Sequence, residues 1–393
     1  MTRLIATLAR REAPLAASSG WMCVIDLEGR CVLQKTAGIE PPHRAQDINP
    51  RGGMRGMRGL SFYKDELAVA GYSAVFLFNR HWDLLRTFTH PSVSGIHEIL
   101  YVGDGLWVTS TANDLLARFD RLGTLDQFHD IRSQRSLMKK VGGPLKQMIS
   151  RDDILRGGFD FRDRSYFKLD AYDRTHLNAI AIAPDGRLWL SLGLIVGDYF
   201  ALLMNIKTIM LESRVWNTFL ALNRGIRRLL GLKKLMLSDL AIQPANTSSA
   251  LVSFDGKEDW QLVLKFKASQ NPFHSVRILP DGTGLYLDTS HGRLLQFDLQ
   301  GNMLSNIKVS DNFLRGLLVL PNGRLAIGAG NMLLYFDRVT QKVVDEIELS
   351  DDPHDTVFDV KLLPSEFDLP PASLQAKFGA ILGYKGQKVV WEK

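Results

Sequence analysis

Apolar and polar residues alternate with a period of two in several stretches of this chain, and a turn interrupts each stretch. NAIAIAPDGRLWLSLG from Asn178, HSVRILPDGTGLYLDTSHGRLLQFD from His274 and RGLLVLPNGRLAIGAGNMLLYFD from Arg315 follow one plan. A short apolar strand meets a Pro-Asp/Asn-Gly turn and a second alternating strand follows; in the latter two a third strand ends in Phe-Asp. RGLSFYKDELAVAGYSAVFLFN from Arg58 and HEILYVGDGLWVTSTANDLLARFD from His97 are looser copies. The first strands start 39 residues apart between Arg58 and His97, and 41 apart between His274 and Arg315. β-Rich units of about 40 residues without intervening helices predict the blades of a propeller.

The ends of the chain complete the pattern. TVFDVKLLP from Thr356 reads as a last strand, and GWMCVIDLEGRCVL near the start reads as a hairpin without partners. Joining them into one blade closes the ring and removes its open edges. The prediction is an all-β, six-bladed β-propeller, a single domain over 1–393 closed by both termini. Two stretches do not alternate and are read as insertions, at 131–174 and 194–240. A seventh blade would have to lie in the first, where a Gly-Gly pair and repeated basic residues argue against it. The second reads as a helical, basic amphipathic insertion: Trp216, Phe219, Leu220, Leu229, Leu230 and Leu232 are interleaved with Arg224, Arg227, Arg228, Lys233 and Lys234.

Composition changes this picture mainly through charge. The formal net charge is +6, which taken alone suggests a polyanion surface. Residues 131–151 carry six Lys/Arg and no acid, and 194–240 carry seven against three, so the rest of the chain sums to −4. The basicity belongs to the insertions, and nucleic-acid binding is not expected. With 45% hydrophobic and 23% charged residues the balance is that of a globular protein. Cys23 and Cys31 are too few for a disulfide framework or a four-ligand zinc site, and a tight turn between them disfavours their pairing. No run is long and apolar enough to span a membrane, and Arg10 and Arg11 interrupt the apolar start. A cytoplasmic protein is expected, with peripheral membrane or protein contact through 194–240 as its docking option.

The first strand of a blade lines the central channel, so its entrance is where chemistry would sit. Counting six residues back from each Pro-Asp/Asn-Gly turn, and matching the looser copies, gives Arg58, His97, Asn178, His274 and Arg315. In the terminal blade the same count gives Phe358, with Asp359 one step on and available if the strand carries a bulge. His176 lies two residues before Asn178 and shares its face. Glu98 neighbours His97, and alternation turns it away from the axis. The predicted site has His274, His97 and His176 as nucleophile or proton-transfer groups. Asn178 is its orienting amide, and Arg58 with Arg315 forms an anion clamp steadied by Asp359. No cofactor or metal is required by this reading.

These motifs, in order and spacing from Arg58 to Pro364, resemble a bacterial family of conserved hypothetical six-bladed propellers that carries no established reaction. More distantly, the chain resembles arylsulfate sulfotransferases, which are also six-bladed propellers. His176 and Asn178 match that family's HxN motif, and His274 before Leu279, Pro280, Asp281 and Gly282 matches its sulfuryl-accepting His. His97 is similar to a further active-site His. The family's Arg after HxN corresponds to about Gly193 here, and Phe273 stands in place of its Gln. The resemblance implies group transfer within a broader expectation: an enzyme acting on a small anionic or oxygen-rich molecule in the channel. Two alternatives stand beside it, a non-catalytic propeller that docks a partner or membrane surface through its basic insertions, and a metal-dependent hydrolase or isomerase using the His and Asn residues.

Overall fold

In the computed structural model, six four-stranded antiparallel sheets form a six-bladed β-propeller. The structure describes residues 2–11, 13, 17–39, 56–145, 161–162, 173–198, several positions between 218 and 231, 247–267 and 271–374. The innermost strands of blades 1 to 5 are Leu60–Tyr63, Ile96–Val102, Leu177–Ile182, His274–Ile278 and Leu314–Val319, and each is the first strand of its blade. Blade 6 takes its innermost strand, Asp355–Leu362, from the C-terminal side and its three outer strands, Arg3–Arg10, Met22–Asp26 and Cys31–Lys35, from the N-terminal side. Each innermost strand packs beside the next, and Asp355–Leu362 packs on Leu60–Tyr63 to complete the circle.

The Pro-Asp/Asn-Gly segments turn for a local reason. Asp185, Asp281 and Asn322 each accept a hydrogen bond through Oδ1 from the backbone N–H two residues on, at 3.0, 2.8 and 3.1 Å. The glycine between has φ of 84°, 82° and 79°, a region that only glycine occupies at low cost. Alternation then sends one face of each strand against the neighbouring blade. The core is accordingly a set of interblade layers, such as Ala68, Val75, Leu77, Ile99, Leu106 and Phe119 between blades 1 and 2.

The insertions interrupt this plan without breaking it. An α-helix at Arg135–Val141, inside 131–174, buries Leu137, Met138 and Val141 against blade 3. The second strand of blade 3 runs Leu188–Val196, so the first residues of 194–240 belong to it; the third strand resumes at Thr247–Phe254. Most of 194–240, including the predicted helix's Trp216, Phe219, Leu220, Leu232 and basic residues, lies outside the described residues, as does 146–160. Cys23 and Cys31 are both free, the first buried and the second exposed. No helix among the described residues is long and apolar enough to cross a membrane.

Candidate functional site

A departure from strict alternation builds the site. In five of the six blades the pairing between the innermost strand and its neighbour shifts register near the strand's start: around His97 and Glu98, at Asn178, at Ser275, at Gly316 and at Phe358. A bulge inserts one unpaired residue and lets consecutive side chains aim the same way. The channel therefore receives side chains in two layers.

The upper layer holds the histidines. His97, His176 and His274 come from blades 2, 3 and 4, with ring centroids 5.0, 5.8 and 5.9 Å apart for the pairs 97–176, 97–274 and 176–274. Each has its Nδ1 engaged. His97 Nδ1 lies 2.8 Å from the Gly95 carbonyl and 2.8 Å from Thr111 Oγ1. Thr111 donates its own hydrogen to the Leu177 carbonyl at 2.5 Å, so its oxygen accepts from His97. His176 Nδ1 lies 2.6 Å from Asp173 Oδ2, and Asp173 Oδ1 also accepts from the His176 backbone N–H at 3.0 Å. His274 Nδ1 lies 2.9 Å from Thr289 Oγ1, and its Nε2 accepts from Arg315 Nη2. Burial, followed by the nearby Arg315, holds the imidazoles of His97 and His274 well below their ordinary pKa. Both are therefore neutral bases at physiological pH.

Phe358 is the hub on the other side. The Arg315 guanidinium sits 4.1 Å from its ring centroid, the Arg58 guanidinium 5.3 Å, and the His97 ring 5.3 Å. Arg58 also donates from Nη1 to the Ile96 carbonyl at 2.8 Å, which seats it beside His97. Arg315 is 7% exposed, its Nε has no hydrogen-bond partner, and among the described residues no carboxylate pairs with it. Burial, then Arg11 and Arg58, push its pKa well below the usual guanidinium range.

Asp359 does not steady this clamp, contrary to the sequence-based expectation. The bulge spends its extra residue on Phe358 and sets Asp359 one layer deeper. There its Oδ1 meets Arg277 at 3.4 Å and Lys361 at 3.3 Å, and its Oδ2 accepts from the Leu60 N–H at 2.9 Å. Glu98 likewise does not point away from the axis: the shift at blade 2 turns it inward, where Oε2 pairs with Arg277 Nη1 at 3.0 Å. Two carboxylates and two cations thus form a balanced layer beneath the histidines. Burial would lower the Arg277 pKa, but Glu98 and Asp359 hold it above its ordinary value.

Asn178 is buried between blades. Its Nδ2 donates to the Phe273 carbonyl at 2.6 Å, directly before His274, while its Oδ1 has no partner. Gly193 makes room for this: a Cβ there would lie 2.4 Å from Asn178 Nδ2 and 2.5 Å from the Phe273 oxygen. No side chain, an arginine least of all, can replace that glycine while Asn178 keeps its place.

Of the residues predicted from sequence, the three histidines and both arginines converge; Asn178 lies behind them and Asp359 below. Sequence reasoning missed Thr111 and Thr289, although a signal existed. Each follows the end of its blade's second strand, Gly105–Ser110 or Gly284–Asp288, and serves its own blade's histidine. Asp173, Arg11 and Arg277 had no repeat position to mark them.

No protein-family model matches the sequence, and no curated protein matches it. Solved structures do match in fold. A protein of unknown function from Bacteroides caccae is 9% identical, covering 93% of this chain and 100% of that one with a TM-score of 0.50. A chain of the nidogen/laminin complex is 10% identical, covering 92% and 99% with a TM-score of 0.51. Virginiamycin B lyase from Staphylococcus aureus is 8% identical, covering 89% and 90% with a TM-score of 0.44. The neighbours include enzymes and non-enzymes, and at these identities what they share with this chain is the six-bladed propeller.

Proposed function

We propose that the protein is an enzyme acting on a small anionic or oxygen-rich molecule in the channel mouth, bound by Arg315 and Arg58 against the face formed by His97, His176 and His274. The observation that carries the reading is Arg315, a buried guanidinium with no carboxylate partner among the described residues and an unpartnered Nε. An unpaired buried cation is costly, and an anion placed there would relieve the cost through charge-assisted hydrogen bonds. His97 and His274 beside it are neutral and offer lone pairs, which suits proton transfer from the bound molecule or attack upon it. Group transfer to His274 Nε2, in the manner of the arylsulfate sulfotransferases the motifs resemble, is the narrower form of this reading.

The test is anion binding by the full chain. Calorimetric titration with sulfate, phosphate and small carboxylates should show binding to the wild type, weakened at least about 10-fold in Arg315→Gln, as expected for loss of a charge-assisted hydrogen bond of ~1.5–3 kcal/mol. Equal binding by both proteins, or by neither, would refute it.

The described positions of the second insertion favour one further reading. Leu222, Ile226, Leu229 and Leu230 are 62, 52, 87 and 65% exposed, and their spacing places them on one helical face. With the basic residues that alternate with them in the sequence they suit docking to a partner or an anionic membrane surface. Removing 199–240, which spares the blade-3 strand, should abolish co-sedimentation with anionic phospholipid vesicles; vesicle binding that survives the deletion, or none by the wild type, counts against membrane docking.

A further inference from the structure

We propose that His97, His176 and His274 together hold one divalent metal ion of the zinc class through their Nε2 atoms, with the open coordination position turned toward Arg315. One ring nitrogen of each residue lies within 4.8 Å of one from each of the others. The Nδ1 atoms are already committed to Gly95 and Thr111, to Asp173, and to Thr289. An imidazole that gives its Nδ1 hydrogen to an outer acceptor binds a metal through the lone pair of Nε2, so all three rings can present Nε2 to the space between them.

That is how metal-binding histidines are built: the outer nitrogen is fixed by a carboxylate, carbonyl or hydroxyl so that the inner one faces the ion. His176 with Asp173 is the carboxylate form, and His97 with the Gly95 carbonyl is the backbone form. Three ligands from three successive blades leave no motif within a single stretch of sequence. An ion at about 2.1 Å from each nitrogen sets them ~3.4 Å apart, which needs inward rotation of the rings and release of His274 by Arg315. Three neutral nitrogen donors favour zinc or its transition-metal neighbours over magnesium and calcium, which seek oxygen.

Charge dictates the rest. A dication beside two guanidiniums is tolerable only with an anion as fourth ligand, and Arg315 stands where it can swing from His274 to that anion. This inference rests on the proposed anion clamp for the position of the substrate; it gives the histidines one joint task as ligands in place of separate proton-transfer roles.

Chelator-stripped full-length protein would be titrated with Zn2+ alone by calorimetry, and with Co2+ by visible absorption. The expected result is one equivalent of either ion, a Co2+ band of tetrahedral intensity, and no competition from Mg2+ or Ca2+. His176→Gln and His274→Gln should each weaken zinc binding at least about 100-fold, and Asp173→Asn about 10–100-fold with the stoichiometry kept. Because Asp173 is partly exposed, its variant reports even if a buried-histidine variant fails to fold. Absent zinc binding, several equivalents, or affinity unchanged in both His176→Gln and Asp173→Asn would overturn the proposal. The two ideas fail separately: zinc binding without any response to sulfate, phosphate or carboxylate refutes the anion clamp alone, and an Arg315-dependent anion response without zinc binding refutes the metal site alone.

Discussion

Asn178 and Gly193 show how a single residue's size sets the site. The Asn178 amide holds the carbonyl of Phe273, the residue that leads into His274, so it positions a histidine. Gly193→Ala would drive a methyl group into that amide and the carbonyl oxygen. Overpacking of this kind costs ~1–3 kcal/mol, and urea unfolding of Gly193→Ala should show a loss in that range; a variant within ~0.5 kcal/mol of wild type would mean the interblade contact is looser than described. The same residues mark how far the site was legible. His97, His274 and Arg315 stood out because the repeat gave them equivalent positions, and polar residues there needed an explanation. Asp359 was misplaced because counting along a strand cannot decide which residue a bulge leaves over. Asp173 and Arg277 were invisible because their partners come from local loop geometry or from across the channel.

Register shifts fall on the innermost pairing of five blades and on the outermost pairing of all six. The hairpin of Met22–Asp26 and Cys31–Lys35 is an example: Cys23 pairs with Lys35 and Cys31 with Asp26, so the two sulfurs lie at opposite ends of the hairpin. Cys23 is fully buried, and burial pushes its thiol up to about 12. Thiolate is the reactive form, so native protein at pH 8 should take up one equivalent of iodoacetamide, at Cys31, and two after unfolding. Rapid labelling of both in the native state, read by mass spectrometry, would contradict the packing of this blade. At the axis the alternation fails in five blades, and those failures place Glu98 and Phe358 in the channel. A pattern of period two predicts the blades well because each shift leaves most of the ladder in register, and it predicts the channel poorly because a single shift there decides which side chains face the axis.

Closure is the property of the whole ring that no blade possesses alone. The N-terminal strand Arg3–Arg10 pairs with Asp355–Leu362, and hydrogen bonds to the buried Asp355 fasten the junction. Arg10 donates to both oxygens of Asp355 at 2.8 and 2.9 Å, Trp21 Nε1 donates to Oδ2 at 3.1 Å, and Ser350 Oγ donates to the same oxygen at 2.8 Å. On the far side Phe367 packs edge-on against Phe62, and Trp82 Nε1 donates to the Asp368 carbonyl at 2.7 Å, tying the chain after the last strand to blade 1. Burial alone would raise the Asp355 pKa, but the hydrogen bonds from Arg10, Ser350 and Trp21 outweigh it and hold the carboxyl below its ordinary value. A depressed folded-state pKa means a stabilising contribution present above the unfolded value of ~3.9 and lost as pH falls through the folded one. Asp355→Asn should therefore lower stability at pH 7 by about 2 kcal/mol or more, the scale of hydrogen bonds to a charged group. The gap to wild type should narrow as the pH drops below about 4. Denaturant melts of both proteins at pH 7, 5 and 3 measure that gap; one that stays constant or widens toward pH 3 would show that Asp355 does not act through its charge at the seam of the ring.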